Sequence, residues 1–255
     1  LKGLETGLES VPALWLLETG STNAEARRRA EAGEAGPLWI AAHRQTGGRG
    51  RQGRTWEAGR GNLAATLLLS TSRAPAEATQ LSFVVGLAVR EFAAAYVPES
   101  LVRLKWPNDV LLAGRKLSGV LIESGRRQGG DLWMAVGVGI NLAEAPTGVE
   151  PPPAALASHL KAGVLEPPAP VAALEALSRI LVRRISAWSR SGFAAVRDEW
   201  AAAAAGLGAP CVARPGSGEV RGLAEGLDVD GALLLRLDSG ELRRITAGDV
   251  FFGGP

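Results

Sequence analysis

The spacing of hydrophobic and polar positions changes several times along the chain, and each change marks a different element. Residues 20–33, "GSTNAEARRRAEAG", offer Ser21, Thr22 or Asn23 as an N-cap, then a body rich in Ala, Glu and Arg, then Gly33 as a stop, so they predict a helix. "PLWIAAHRQ" predicts a strand that runs into a loop of glycine and arginine, and "NLAATLLLS" predicts a second strand. "ATQLSFVVGLAVREFAAAY" has the length and apolar spacing of a buried helix. Four short apolar segments follow, "LVRLKWP", "DVLLAG", "RKLSGVLIES" and "LWMAVGVGINL", with breaks at Ala113-Gly114 and Gln128-Gly129-Gly130. Strands in immediate succession imply antiparallel pairing rather than a repeating strand–helix crossover.

A proline-rich connector, "APTGVEPPPAAL", leads to helical sequence around 171–205, and the pattern changes again at Gly206. From Cys211 onward, strand-like pieces alternate with hairpin signals at Asp230-Gly231 and Ser239-Gly240. "EVRGLAEGLD", "ALLLRLD" and "ELRRITAGDV" suit a small β-barrel. The expected organisation is a large domain of mixed sheet and helices over residues 1–208 and an all-β module over 209–255, without internal repeats.

Composition narrows the function classes. Hydrophobic residues make up 46% and charged residues 21% of 255, which suits a globular chain. The net charge of +2 is too small to argue for a polyanionic partner, so local clustering of the basic residues matters more than their sum. One cysteine excludes an internal disulfide framework, and two histidines leave no plausible zinc cluster. The longest apolar runs fall short of a membrane span, and no signal peptide is visible in residues 1–20, so the expected location is the cytoplasm.

The glycine–arginine loop, "GGRGRQGR" at 47–54, carries Gly48-x-Gly50-x-x-Gly53. A dinucleotide fingerprint needs an apolar helix straight after its third glycine, but Gly53 is followed by "RTWEAGRGN", in which Gly59 and Gly61 break any helix. A nucleic-acid contact through Arg49, Arg51, Arg54 and Arg60 is the second reading, though only Trp56 supplies an aromatic ring. A solvated basic turn is the third. Glycines interleaved with arginines favour an anion-binding loop, because backbone N–H groups approach closely while guanidinium groups supply charge and forked donors.

The second constellation is "KWPNDVLLAGRKLSGVLIES" at 105–124, which brings Lys105, Asn108 and Asp109 to a turn and Lys116 to a neighbouring strand. Singly, each residue could be ordinary packing or surface charge. Taken in order, "GSTN", "GGRGRQGRTW", "KWPND", "RKLSGVLIE" and "GVGIN" closely resemble the biotin protein ligase family. The likeness spans about residues 14–143 and extends more loosely to the terminal β-module. Lipoate and octanoate ligases share the fold without this motif pair. The resemblance implies an α+β fold, with the mixed sheet of class II aminoacyl-tRNA synthetases followed by an SH3-like barrel.

It also implies a two-step reaction. Biotin and ATP, with Mg²⁺, form biotinyl-5′-AMP, and a lysine on a biotin carboxyl carrier protein or domain then attacks the adenylate. Carboxylate and phosphate repel, by about 4 kcal/mol per charge pair 4 Å apart at an effective dielectric of about 20, so cations must stand between them. By resemblance, Lys116 bridges the biotin carboxylate and the α-phosphate, with Arg51 and Asp109 as the other catalytic groups. Ser21, Thr22, Asn23 and Gln45 are the expected partners of the ureido ring. Gly48, Arg49, Gly50, Gly119 and Gly137 complete the biotin side. Arg49, Arg51, Arg54, Trp56, Lys105, Asn108, Asp109 and Asn141 form the nucleotide side, where Asn141 is expected to read the adenine edge. Glu123 is expected to be structural or to face the acceptor. The metal would be held by substrate phosphates rather than by protein ligands. The loop is expected to be open and to order on ligand binding, its arginines repelling one another until an anion arrives. Many relatives carry an N-terminal winged helix-turn-helix. About twenty residues precede "STN" here, so specific DNA binding is not expected, and a homodimer is left open.

Overall fold

The computed structural model describes residues 11–216 and 218–252, so half of the stretch over which no secretion signal is expected lies outside the described residues. A seven-stranded sheet dominates. It is entered by β1 (Ala13–Leu16), followed by α1 (Thr22–Glu31), β2 (Leu38–Ala42) and β3 (Leu63–Thr71). The chain then forms the short α2 (Pro75–Ala78) and the buried α3 (Leu81–Ala94). Next come β4 (Val102–Lys105), β5 (Asp109–Leu112), β6 (Arg115–Arg126) and β7 (Leu132–Ile140). Strand order is β1-β2-β3-β7-β6-β5-β4. Only β1 and β2 pair in parallel, across α1; every other pairing is antiparallel, as the run of consecutive strands implies.

The two faces of this sheet are built differently. Odd positions of β3 (Leu63, Ala65, Leu67, Leu69) and even positions of β7 (Met134, Val136, Val138, Ile140) point into the main core with α3 and a later helix. The opposite face carries α1, whose Ala26 and Ala30 pack on Ile40, Leu68, Trp133 and Ala135. Further along the same face the bulky residues stop. Thr66 pairs with Gly137, and a row runs from Ala64 through Gly139 and Gly119 to Asp109. Four strands spaced about 4.8 Å apart thus give a floor about 14 Å wide that bears nothing larger than a methyl group until Asp109.

Past β7, the helical sequence expected around 171–205 forms two helices, α4 (Pro170–Ser191) and α5 (Ala194–Ala203), with the break at Gly192, φ 77°. Arg184 on α4 ties the two helices to α3 by pairing with Glu199 and Glu91. Trp39 on β2 donates its indole N–H to Ser178 on α4 at 3.0 Å, which satisfies a polar group in an otherwise apolar layer.

The remaining strands, β8 (Pro210–Arg214), β9 (Val220–Leu227), β10 (Leu233–Arg236), β11 (Leu242–Ile245) and β12 (Asp249–Phe252), form a five-stranded antiparallel sheet in the order β11-β10-β9-β8-β12, consistent with an SH3-like module. Both expected hairpins are present, with Gly231 and Gly240 at positive φ in the turns. "ELRRITAGDV" is not one strand, however. The chain turns at Gly248, and the strands on either side of it go to opposite edges of the sheet. The module packs on the large sheet, Trp106 donating to the Gly231 carbonyl at 3.0 Å, and the connecting chain is tied to β4 by Ala205 N–H on the Leu104 carbonyl at 2.7 Å.

Candidate active site

The small-residue floor is walled at one end by the start of α1. Ser21 caps that helix, its Oγ accepting from Ala24 N–H, and Thr22 and Asn23 are buried in the first turn. Thr22 N–H and Oγ1 both reach Gln45 Oε1, at 2.8 and 3.1 Å. Asn23 Oδ1 lies over Gly137 so closely that a Cβ there would stand 2.2 Å away, which is why that strand position is glycine.

At the other end, Lys116 and Asp109 form an ion pair with Nζ 2.8 Å from Oδ1. The lysine reaches the floor because of an irregularity in β6. Gly119 lies three positions after Lys116, so a regular strand would put them on opposite faces. Against β5, however, Val110 pairs with Ser118 and Leu111 with Lys116, a bulge of one residue. Leu117 drops into the core, and Lys116 swings back beside Gly119, with Nζ 3.3 Å from where that residue's Cβ would be.

The loop at 47–56 closes over this floor instead of standing open. Gly50 N–H bonds the Arg54 carbonyl at 2.7 Å and Trp56 N–H the Gly48 carbonyl at 2.9 Å, making a tight hairpin. A side chain on Gly48 would strike the Trp56 carbonyl. The Trp56 ring lies directly on Gly139, reaches Gly119, and has the Lys116 ammonium 5.7 Å from its centre. Arg51, half-buried, donates to Asn108 Oδ1 at 3.0 Å and to the Gly248 carbonyl at 3.1 Å. Burial pulls its pKa below the ordinary arginine value, while Asp249 and Asp109 push it back up. The group stays charged, because arginine starts so far above neutrality. Arg54 pairs with Asp249 at 2.7 Å. The expected mutual repulsion of the loop arginines is therefore corrected for Arg54, since the β-module supplies a counter-charge from within the chain. Arg49 is exposed and has no ion-pair partner among the described residues.

Other expected site residues divide. Asn108 is in place and locked, with Nδ2 on the Val120 carbonyl at 2.7 Å. Lys105 continues the floor row onto β4, but its ammonium lies 5.5 Å from the Phe251 ring centre, toward the β-module. Asn141 is buried, one of its two amide N–H groups going to the Ala154 carbonyl at 3.1 Å, while its oxygen has no partner among the described residues. Glu123, expected to be structural or to face the acceptor, accepts from Asn23 Nδ2 at 2.8 Å. The motif "GVGIN" also contains Gly139, the position covered by Trp56, which sequence reasoning passed over. Its alternation with Gly137 on one strand face was the available signal.

Buried polar atoms without a partner converge on the same region. Trp56 Nε1, Asp109 Oδ1 and Asn141 Oδ1 have no hydrogen bond among the described residues; the fourth such atom, Ser118 Oγ, lies on the core face beside the bulge. The ammonium near Asp109 Oδ1 makes an ion pair without an aligned hydrogen bond. Unmet donors and acceptors are costly inside a protein, by about 1–3 kcal/mol each, and their convergence marks a surface made to be completed by a ligand. No cluster of three or more His, Cys, Asp or Glu side chains suited to a metal ion occurs among the described residues. If Gly139 is glycine to seat Trp56, Gly139→Ala should leave the strand folded, displace the indole and lower adenylate formation at least about tenfold. Hydrogen exchange over 47–56 checks the displacement, and exchange unchanged from the parent would refute it.

The description Biotin/lipoate A/B protein ligase family matches residues 19–141, and Biotin protein ligase C terminal domain matches 206–253. A curated biotin–[acetyl-CoA-carboxylase] ligase of Paracoccus denitrificans is 42% identical over 245 residues, covering 94% of this chain and 100% of the relative. Its counterpart in Mycobacterium tuberculosis is 36% identical, covering 91% and 86%. A solved biotin protein ligase from Aquifex aeolicus, in complex with biotin and ATP, superposes with a TM-score of 0.78 at 26% identity over 95% of this chain and 99% of that one. With a full-length relative at that identity, matched on the same floor, loop and terminal module, the chain belongs to the biotin–[acetyl-CoA-carboxylase] ligase family.

Proposed function

We propose that this chain joins biotin to ATP and passes the biotinyl group to a lysine of a biotin carboxyl carrier protein, an activity of the biotin–[biotin carboxyl carrier protein] ligase class exercised in the cytoplasm. The observation that carries the reading is the Lys116–Asp109 pair at the end of a glycine floor roofed by an arginine loop, in a chain aligned end to end with a curated ligase of that name. In the first step a biotin carboxylate oxygen bonds to the α-phosphorus and pyrophosphate leaves with the bond's electrons. In the second the acceptor amine bonds to the acyl carbon, AMP leaves, and the amine's proton is lost.

The residues divide the work by charge and shape. Ser21, Thr22, Asn23 and Gln45 take the ureido ring, and the floor at Gly137, Gly139 and Gly119 lets flat ligand atoms lie against backbone. Lys116 is the compact cation between carboxylate and α-phosphate, held by Asp109 until the reactants arrive. Arg49, Arg51 and Arg54 hold the phosphates, and Trp56 closes the nucleotide side with an indole N–H still free to donate. Asn141 Oδ1 accepts from the adenine amino group, the one adenine-edge donor that this oxygen suits. Asp109 then orients the acceptor amine or takes its proton. ATP enters as its Mg²⁺ complex, the metal carried by the substrate. Residues 209–255 form a separate module that braces the loop.

Incubation with biotin and MgATP should yield biotinyl-5′-AMP by mass spectrometry, and addition of a carrier domain should convert it to biotinylated protein. Lipoate or octanoate in place of biotin should give no adenylate. An adenylate of lipoate formed as readily as that of biotin would overturn the substrate assignment.

A further inference from the structure

Beneath the α1 end of the floor lies a chain of hydrogen bonds, buried at Thr66 and part-buried at both ends, that reaches past the motif residues. Thr66 Oγ1, fully buried on β3, is 2.8 Å from Thr22 Oγ1 and 2.7 Å from Asn23 Oδ1. Asn23 Nδ2 is 2.8 Å from Glu123 Oε2 and 3.3 Å from the Leu121 carbonyl. Gln45 Oε1 closes the far end by accepting from Thr22 N–H at 2.8 Å.

Counting protons fixes the direction of this chain. A carboxylate and a carbonyl can only accept, so Glu123 and Leu121 require Asn23 to present its amino group to them, and its oxygen therefore faces Thr66. That oxygen also only accepts, so the single Thr66 proton goes to it. The Thr66 oxygen must then accept from Thr22 across 2.8 Å, because two hydroxyl oxygens that close without a proton between them would repel. The two hydroxyl protons thus serve the two shorter contacts, and the longer one, Thr22 Oγ1 to Gln45 Oε1 at 3.1 Å, is left without a proton until a donor arrives. What remains on Thr22 is a lone pair, and Gln45 Oε1, held by Thr22 N–H, likewise keeps a free lone pair.

We propose that Thr66 and Glu123 are positioning residues that set the hydrogen-bond polarity of the ligand end of the groove, making Thr22 and Gln45 acceptors matched to the N–H groups of a cyclic urea. This rests on the reading of the groove as a biotin site. Neither residue carries out the reaction itself; Thr66 lies outside every motif, and Glu123 closes "RKLSGVLIE" seven positions past the lysine. Glu123 acts at one remove, through the orientation of the Asn23 amide, and Thr66 acts through its only proton.

The test separates polarity from packing. Thr66→Val keeps the shape and removes the proton relay, and Thr66→Ser restores the hydroxyl. Glu123→Leu and Glu123→Gln form the second pair, since a glutamine oxygen still accepts from Asn23 and Glu123 is only half-buried. Titration calorimetry with biotin and steady-state KM for ATP are measured on each folded variant. The expected result is a loss of biotin affinity of about tenfold or more in Thr66→Val and Glu123→Leu, near-parental affinity in Thr66→Ser and Glu123→Gln, and unchanged KM for ATP throughout. If Thr66→Val does not fold, the Glu123 pair decides alone. Equal affinity in all four variants, no rescue by the conservative changes, or a parallel rise in KM for ATP would overturn the inference. Absence of biotin binding by the parent chain would instead overturn the reading on which it rests.

Discussion

Lys116→Ala stops adenylate formation while biotin still binds. The expected loss is about 10²–10³-fold in the single-turnover rate, the usual consequence of removing one preorganised charge partner from a developing anion, against a change of a few-fold at most in biotin affinity. The asymmetry follows from where the ammonium sits. Its nearest partners are Asp109 at 2.8 Å and the open space over Gly119, both at the far end of the floor from Thr22, Asn23 and Gln45. Biotin alone brings one carboxylate to it; biotin and ATP together bring a carboxylate and a phosphate that repel each other. The lysine is needed most when both are present and approaching, so it contributes more to the transition state than to the ground state. Lys116→Arg should not rescue, because a broad, delocalised guanidinium does not replace a compact point charge between two reacting anions. Rapid-quench measurement of adenylate alongside biotin calorimetry checks the split, and adenylation within tenfold of the parent would remove Lys116 from its assigned role.

The bulge that delivers this lysine shows what could and could not be read ahead. Strands over 102–140 and their antiparallel pairing were legible from apolar runs and turn residues, and the helix at 20–33 from its cap. That Lys116 and Gly119 share a face was not, since strand alternation by itself argues the opposite and the extra residue is a property of the pairing with β5. β1 was missed because "ALWL" is short and lies at a sheet edge, half-exposed, without alternation. The helical stretch over 171–205 hid a break at Gly192 that a weak signal, one glycine, had to carry. Lys105 pairs with Asp109 in register, and the neighbour of its ammonium, the Phe251 ring 5.5 Å away, lies too far along the chain for any sequence pattern to announce. Thr66 looked like one more residue of an apolar strand. Its role depends on α1 lying against that face and on two motif side chains meeting there. The motifs can be picked out along the chain, whereas the bonds that orient their side chains cannot, since orientation comes from contacts distant in sequence.

The same limit governs the loop. From composition alone, its arginines should spring apart without an anion, yet Asp249 and the Gly248 carbonyl already receive Arg54 and Arg51. Gly248 can present that carbonyl only because it sits at φ 125°, where a side chain would collide with the Arg214 carbonyl. Arg51 is the tighter of the two tethers, half-buried and bonded to both Asn108 and the β-module, whereas the Arg54–Asp249 pair is largely exposed. An exposed pair contributes about 0–1 kcal/mol, so Asp249→Asn should speed escape of a bound adenylate by at most about fivefold. Hydrogen bonds from a charged group contribute more, about 1.5–3 kcal/mol each. Arg51→Gly removes both of them and adds backbone freedom to a loop already rich in glycine, so the closed hairpin loses its anchor on either side of the groove. Adenylate should then dissociate about 10–100-fold faster, while its synthesis, which depends on Lys116, falls much less. Chasing labelled adenylate with excess unlabelled biotin and ATP measures the escape rate, and hydrogen exchange over 47–54 reports the loop. In the parent, ligand should slow that exchange further, since Arg49 has no ion-pair partner among the described residues and Arg51 can exchange a neutral carbonyl for a phosphate oxygen. Escape as slow in Arg51→Gly as in the parent would mean that the roof is held by Trp56 on Gly139 alone, and that the arginines act on the phosphates without closing the site.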